Sequence, residues 1–324
     1  MATSGVIANF PNGFRGGYQV QGFPVLNTYA TSAGPNNPST AGVWFVDSNT
    51  GTDGNKGDSW YQPLKTLARA WVLAKAGDII QLKPGHAETV STSTAAAWAT
   101  KNVQIIGYGL SSQQPTITLD TANTSTITVS ADGISVTNVA FVANFLAIAA
   151  LFTLTTAKSF TVNGCTISDT SASLNFIDYF KLSTTSNAND HLTVVNNNIN
   201  SLATSGAVKL LDVLGTHDSV VVQNNSYLTL TTNAGAIMPI ATTKKLTNFL
   251  FLGNIVNVQN AAGTGTGYLI TTDTAGTGFI HGNFLSALPT TPLLVTAAKG
   301  YVYGINYHTD TADTSGYIIP AQDS

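Results

Sequence analysis

Side chains able to do chemistry are sparse in this 324-residue chain, and most stand alone. Asp178 and Asp212 fall midway in two neighbouring apolar segments, with Lys181 and Lys209 close by. Two carboxylates across one bond are the minimum for glycoside hydrolysis, one protonating the leaving oxygen while the other attacks or activates water. The same spacing suits a solvated ladder of alternating Lys and Asp that keeps a surface soluble, and that reading is preferred. Glu88 is the only glutamate, and the other aspartates are scattered singly. His86 follows Pro84-Gly85, two residues before Glu88; a His-x-Glu pair lacks the third ligand a metal site needs. Asn196-Asn197-Asn198 and Asn224-Asn225 carry amides expected to stack at turns and bond along an axis, not to hold a ligand. Phosphate loops, nucleophile elbows and Asp-rich calcium loops are absent from the sequence. No catalytic, cofactor-binding or metal-ligating residue is assigned, no cofactor is expected, and the chain reads as a non-enzyme.

Composition points to what would position such residues. Charged residues are 9% of the chain, against about 25% in ordinary domains, and the net charge is −3. Thr alone occurs 47 times. Abundant β-branched residues with few charges exclude helical bundles and Rossmann-type folds, whose helix faces are rich in Lys and Glu. Normal apolar content excludes disorder, and the lack of a basic surface argues against a nucleic-acid partner. The longest apolar stretch, Phe141–Leu154, is interrupted by Asn144 and too short to span a bilayer, so no membrane partner is expected. Met1 is followed by Ala-Thr-Ser-Gly, without the basic and apolar regions of a signal peptide. Cys165 is the only cysteine, so no intrachain disulfide forms.

A repeat organises the middle of the chain. The template Φ-x-Φ-x-(Gly/Asn)-(Asn/small)-x-Φ fits Ile134–Phe141, Phe160–Ile167, Leu192–Ile199, Val220–Tyr227 and Phe249–Val256, and more loosely Gly278–Leu285 and Tyr301–His308. Ile80–Ala87 and Val103–Leu110 extend it upstream, giving a period near 28 residues. Between these units lie second apolar segments such as Leu151–Thr156, Phe176–Thr185 and Val208–Leu214. Each period thus holds at least two short strands and a turn where Asn or Gly accepts a left-handed backbone. A unit this small buries its apolar face only by stacking on its neighbours. The predicted fold is all-β, a right-handed parallel β-helix with Ile134, Phe160, Leu192, Val220 and Phe249 in one interior column. Thr66–Ala76 is predicted to be a helix, with Leu67, Ala70, Trp71 and Ala74 on one face and Gly77 as stop, capping the first coil. Residues 1–42, rich in Gly, Pro and Asn, read as an extended N-terminal arm; 43–308 form the β-helix; 309–324 are a C-terminal tail.

The run Trp44-Phe-Val-Asp-Ser-Asn-Thr-Gly-Thr-Asp-Gly, then Pro63-Leu-Lys-Thr-Leu-Ala-Arg-Ala, then Ala76-Gly-Asp-Ile-Ile-Gln-Leu-Lys-Pro-Gly-His resembles the entry segment of pectate-lyase-like right-handed β-helix proteins. Ile105-Ile-Gly-Tyr-Gly is similar to their following coil. Asn9-Phe-Pro-Asn-Gly-Phe, together with Pro84-Gly-His-Ala-Glu-Thr-Val, resembles tailed-bacteriophage virion proteins found with the major capsid protein. Polysaccharide lyases of the β-helix group use clustered acidic calcium ligands near an Arg or Lys base; the only arginines here, Arg15 and Arg69, lie outside the coils. Gly215-Thr-His217-Asp218 is similar to a His-containing turn of polygalacturonases, but their accompanying Asp-Asp pair is missing.

The resemblance implies a capsid decoration (cement) protein on the virion surface, made in the host cytoplasm, with the major capsid protein as partner and the arm at the contact. Low charge favours side-to-side packing of rods, so a homotrimer is expected, with a dimer as the next choice. The rival readings are a tailspike-type polysaccharide depolymerase and a non-catalytic adhesin binding a host-surface glycan through aromatics such as Tyr179, Tyr227 and Tyr268.

Overall fold

A computed structural model of the chain describes residues 18–20, 23–25, 42–90, 97–204, 208–230, 236–241, 243–258, 266–271, 276–287, 291–296, 300–309 and 317–319. The repeat forms a parallel β-helix whose successive coils feed three faces. Sheet A runs from Val43–Val46 and Ile79–Leu82 through Gln104–Gly107, Ser135–Thr137, Thr161–Asn163, Thr193–Val195, Val221–Gln223, Phe249–Leu252 and Gly278–His281 to Tyr301–Tyr303. Sheet B stacks Ala87–Val90, Thr116–Leu119, Ala140–Ala143, Thr166–Asp169, Asn198–Ser201, Ser226–Thr229, Ile255–Val258, Phe284–Ala287 and Asn306–Thr309. Face C comes in two stretches. Ile127–Val129, Ile148–Leu154, Phe176–Lys181 and Lys209–Asp212 form the first; Ala236–Pro239, Thr266–Thr271 and Thr291–Thr296 form the second. A parallel bridge between Val213 and Ile240 joins them.

Register explains the core. Thr161 pairs with Ser135 and Thr193, Thr193 with Val221, and Val221 with Leu250. One residue earlier, Ile134, Phe160, Leu192, Val220 and Phe249 therefore stand in a single fully buried column, as expected. Sheet B contributes a second column, Ile117, Phe141, Ile167, Ile199, Tyr227 and Val256. Phe152 on face C gathers Phe141, Phe160 and Phe180, with ring centroids 5.1, 5.2 and 5.4 Å away. Large rings fill the space between faces at organic-crystal density, which strands of small residues alone would leave open.

Six of the bends from sheet A to sheet B use one left-handed residue. Asn138, Gly164, Asn196, Asn224, Gly253 and Gly282 supply it, with φ between 54° and 70°. Asn and Gly meet this demand at least cost, which is why the sequence alternates between them there. A second set, Asn102, Gly133, Ser159, His191, Ser219 and Asn248, takes the same conformation just before the sheet A strands.

The capping helix spans Leu67–Leu73, shorter than the 66–76 expected from the sequence. Thr66 is its N-cap, accepting from the Arg69 N–H at 3.0 Å, and buried Leu67, Ala70 and Trp71 cover the first coil. It stops early because Asp78 accepts from the Lys75 N–H at 2.8 Å, and Ala74 is already extended. The same carboxylate accepts from the Gly42 N–H and the Trp44 Nε1–H, so the Gly-Asp of the entry motif ties strand, helix end and first coil together. At the far end, Tyr317–Ile319 pairs antiparallel with Asn306–Thr309 and covers the sheet B edge, a site that otherwise templates aggregation. Within the arm, Tyr18–Val20 pairs antiparallel with Phe23–Val25; the other residues of 1–41, and most of the tail, lie outside the described residues. No helix among the described residues is long and apolar enough to cross a membrane.

Candidate functional site

The Asp178 and Asp212 cluster is the densest collection of charge on the coils. Register sets Asp178 opposite Lys209 and Lys181 opposite Asp212, so Lys and Asp do alternate between coils. The cluster is not solvated, however. Asp178 is 3% exposed and Asp212 7%, in a strand where Tyr179 and Phe180 are also fully buried. Lys209 Nζ lies 3.1 Å from Asp212 Oδ1 and 3.5 Å from Asp178 Oδ1. Burial, with Asp212 adding repulsion, raises the Asp178 carboxyl to about 6, although Lys209 and Lys181 oppose it. Burial pulls the Lys209 ammonium down, and the two carboxylates more than reverse this, leaving its pKa raised. A lysine base needs the opposite shift. The ammonium also fills the space between the carboxylates, where a glycosidic oxygen and a water would have to sit. Its chemistry is that of a buried ion bridge between coils.

The histidines are likewise engaged. His217 has no exposed surface; its Nε2 is 3.1 Å from the Ser183 carbonyl oxygen and its Nδ1 accepts from the Asn189 N–H at 3.4 Å. Burial lowers its pKa, so the ring is neutral, a spacer between turns. His86 Nδ1 accepts from the Ser48 N–H, which places its proton on Nε2, 3.3 Å from Glu88 Oε2. Glu88 Oε2 also accepts from the Leu67 N–H at 2.6 Å. Glu88 pairs with Ile117 in register, at the end of the sheet B core column. A carboxylate inside the first coil is held there by the start of the capping helix, whose free N–H groups favour negative charge. Among the described residues no group of three or more His, Cys, Asp or Glu is placed to hold a metal ion.

The asparagines form a ladder. Asn197, Asn225, Asn254, Asn283 and Asn306 are buried one above the next. Each Oδ1 accepts both the backbone N–H and the Nδ2–H of the Asn one coil earlier, at 2.8–3.1 Å. Each Nδ2 also donates to a sheet A carbonyl of the preceding coil, that of Val162, Val194, Val222, Phe251 or Ile280. Cys165 heads the ladder, its N–H donating to Asn197 Oδ1. Asn196 and Asn224 instead make the left-handed bend.

Two concavities stand out among the described residues. A cavity of about 230 Å³ beneath the capping helix is lined by Leu67, Trp71, Glu88, Val90, Trp98 and Ile127 among others. An open groove of about 450 Å³ crosses the turns between face C and sheet A, with Lys101, Ser130, Asp132, Thr156, Lys158 and Asn187 in its wall. No ring lines the groove, and small-molecule sites are built on apolar and aromatic walls. Tyr179 and Tyr227, expected to be exposed sugar platforms, are buried in the core, and the Tyr268 side chain lies outside what is described.

Residues 49–311 match the family described as "Protein of unknown function (DUF1565)". The chain belongs to that family. No curated protein matches this DUF1565 chain. Among solved structures it is similar to the pectate lyase Pel9A, at 14% identity and a TM-score of 0.41, covering 85% of this chain and 81% of that one. It is similar to a rhamnogalacturonan lyase at 11% identity and a TM-score of 0.40, over 81% and 84% of the two chains. A GH136 lacto-N-biosidase from Eubacterium ramulus follows at 12% identity and 0.36, over 82% and 67%. All three are far below the identity at which function transfers.

Sequence reasoning missed Asp169. Its carboxylate accepts from the Phe176 N–H, the Ser201 hydroxyl and the Leu202 N–H, each at 3.0 Å, stitching two successive turns together. Burial raises it to about 6 against those hydrogen bonds. Nothing in its local sequence, Ser-Asp-Thr, distinguishes it from a surface aspartate. Asn254, Asn283 and Asn306 were legible, since they fall at the same template position as Asn197 and Asn225.

Proposed function

We propose that the chain is a structural, non-catalytic virion component, a rigid rod that decorates a tailed-phage capsid by binding the major capsid protein. One observation carries this reading: the buried ionisable clusters of the described coils, Asp178–Lys209–Asp212, His86–Glu88, Asp169 and His217, all hold neighbouring turns together. Of these, only Glu88 borders a cavity, and its Oε2 is engaged by the Leu67 N–H and by His86. The motifs at Asn9–Phe14 and Pro84–Val90 support the virion assignment. In this role the coils supply shape, and residues 1–42 supply the capsid contact. Binding that exists only on the assembled shell stabilises it by mass action, in proportion to occupancy.

The test adds purified chain to capsids that lack it, full length and truncated before residue 43. Full-length chain should decorate the shell and raise its disruption temperature; the truncated rod should stay folded with reduced occupancy. Equal occupancy by the truncated rod removes the arm from the contact. Failure of the full chain to bind, with release of reducing ends from host-surface polysaccharide, replaces this reading with a depolymerase.

A further inference from the structure

The outward-facing positions of sheets A and B change character along the rod. On sheet B, Thr166, Asn198 and Ser226 give way to Ile255, Phe284 and Tyr307 in the same register column. On sheet A, Thr161 and Thr193 give way to Val221, Leu250, Phe279 and Val302. The fold does not require the change, because polar residues such as Gln104, Ser135, Thr161 and Thr193 on sheet A and Thr116, Thr166, Asn198 and Ser226 on sheet B occupy these positions in preceding coils. Ile255, Phe284 and Tyr307 are 53, 54 and 47% exposed, Val302 62%, and Ile305, in the last bend between the two sheets, 52%. The Phe284 and Tyr307 rings stack at 5.0 Å, which presents a continuous apolar ridge. Residues 249–258, 276–287 and 300–309 contain no Asp, Glu, Lys or Arg.

At roughly 200 Å² per aromatic side chain, those five leave on the order of 500 Å² of apolar surface in water. That is already at the upper end for a monomer. The half-buried Leu250 and Phe279 beside them extend it towards the ~800 Å² per partner of a stable interface. Interface cores are depleted of charge in the same way.

We infer that this C-terminal corner is where copies of the chain associate, sheet A of one rod against sheet B of the next. The occupant is a second copy because both apolar faces belong to the same three coils. Rods lying parallel and level therefore bring one apolar face against the other at matching height, with no charge left unpaired. The two faces diverge across the bend at Gly253, Gly282 and Ile305, so one neighbour covers only one of them. Contact between unlike faces is heterologous and closes as a ring, of which three copies is the smallest.

The full-length protein, in sedimentation velocity with light scattering at micromolar concentration, should run at three times its 33.7 kDa chain mass. Phe284→Ser with Tyr307→Asn, residues the earlier coils use in this column, should yield a monomer with an unchanged circular dichroism spectrum. Leu250→Thr with Val302→Thr attacks the other face independently and should do the same, whereas Thr166→Ser should leave the trimer intact. A monomeric or dimeric wild-type chain, or trimers that survive both double substitutions, overturns the inference.

Discussion

Replacing Asn254 tests whether the ladder holds the C-terminal coils together. Its side chain accepts from the Asn225 N–H and Nδ2–H at 2.9 and 3.0 Å, and donates to Val222 O and Asn283 Oδ1 at 2.9 and 3.1 Å. Asn254→Ala leaves the buried Asn225 N–H without an acceptor, while Asn225 Nδ2 keeps the Val194 and Gln223 carbonyls. An orphaned buried donor costs ~1–3 kcal/mol and each further lost bond ~0.5–1.5, so a loss of about 3 kcal/mol is expected. Asn254→Asp keeps the acceptor but sets an oxygen against two oxygens in a buried site. Its cost should be about 3–5 kcal/mol at neutral pH and should shrink on acidification, when the new carboxyl protonates. Asn196→Gly is the control: the preceding coil has Gly164 at that bend, and Gly253 fills it two coils later, so the change should stay within ~0.5 kcal/mol. All four tryptophans, Trp44, Trp60, Trp71 and Trp98, lie towards the N-terminus, whereas far-ultraviolet circular dichroism reports every coil. In urea, the Asn254 variants should therefore lose dichroism before fluorescence, because coils couple chiefly to their neighbours. Coincident transitions within ~0.5 kcal/mol of wild type for both variants would refute the ladder's role.

The Cys165 thiol is fully buried and raised to about 12, so it should react with a thiol reagent only at the rate of unfolding, read as labelling against urea. Cys165→Asn should extend the ladder by one rung, offering a donor to Val136 O and Asn197 Oδ1, and should leave the denaturation midpoint unchanged or raised. Asp169 and Asp178 have folded pKa values of about 6 against an ordinary 3.8, so protonation favours the folded state. Their contribution is fully present below 3.8 and is lost as pH rises through about 6. Burial raises the Asp47 carboxyl, but hydrogen bonds from Thr50, Lys83 and the Asn49 N–H outweigh it and hold it at about 2; its contribution is lost as pH falls towards that value. Calorimetry should place maximal stability near pH 4, where the unfolded carboxylates begin to ionise, and Asp178→Asn should flatten the neutral side of the profile. Phe152→Ala, at the centre of the ring cluster, should cost ~3–5 kcal/mol in the urea midpoint.

The fold was legible where geometry admits few residue types. A left-handed bend selects Asn or Gly, an interior column selects apolar residues at every second position, and both recur once per coil, so the period showed. Burial of Asp178 was not legible, because Asp178, Tyr179 and Phe180 are buried in succession, against the alternation. Tyr227 misled in a different way: it fills the last apolar position of its own repeat, directly between Ile199 and Val256, and its ring belongs to the core column. The charge pattern of Asp178, Lys181, Lys209 and Asp212 read correctly as an alternating ladder, yet the pattern carries no information about depth. Sequence gives the pairing; only packing gives the dielectric in which the pairing operates.

Two devices hold successive coils together, and they divide the rod. Where the ladder position holds Val139 and Cys165, Trp98, Phe141, Phe152, Phe160 and Phe180 crowd the interior. From Asn197 onward that position is an amide. The ladder has a direction: each Oδ1 serves the coil before it, so removing a late coil orphans donors in the preceding one. Deleting residues from 300 onward takes away Asn306 and leaves the Asn283 N–H and one Nδ2–H without their acceptor. The loss then propagates towards Asn197 as each coil yields, and should stop where the rings take over. Hydrogen exchange on that truncated chain should show protection lost progressively from the C-terminal side, with the strands from Gln104 to Asn163 unaffected. Uniform loss along the whole rod would mean that the coils fold as a single cooperative block and that the ladder adds nothing of its own.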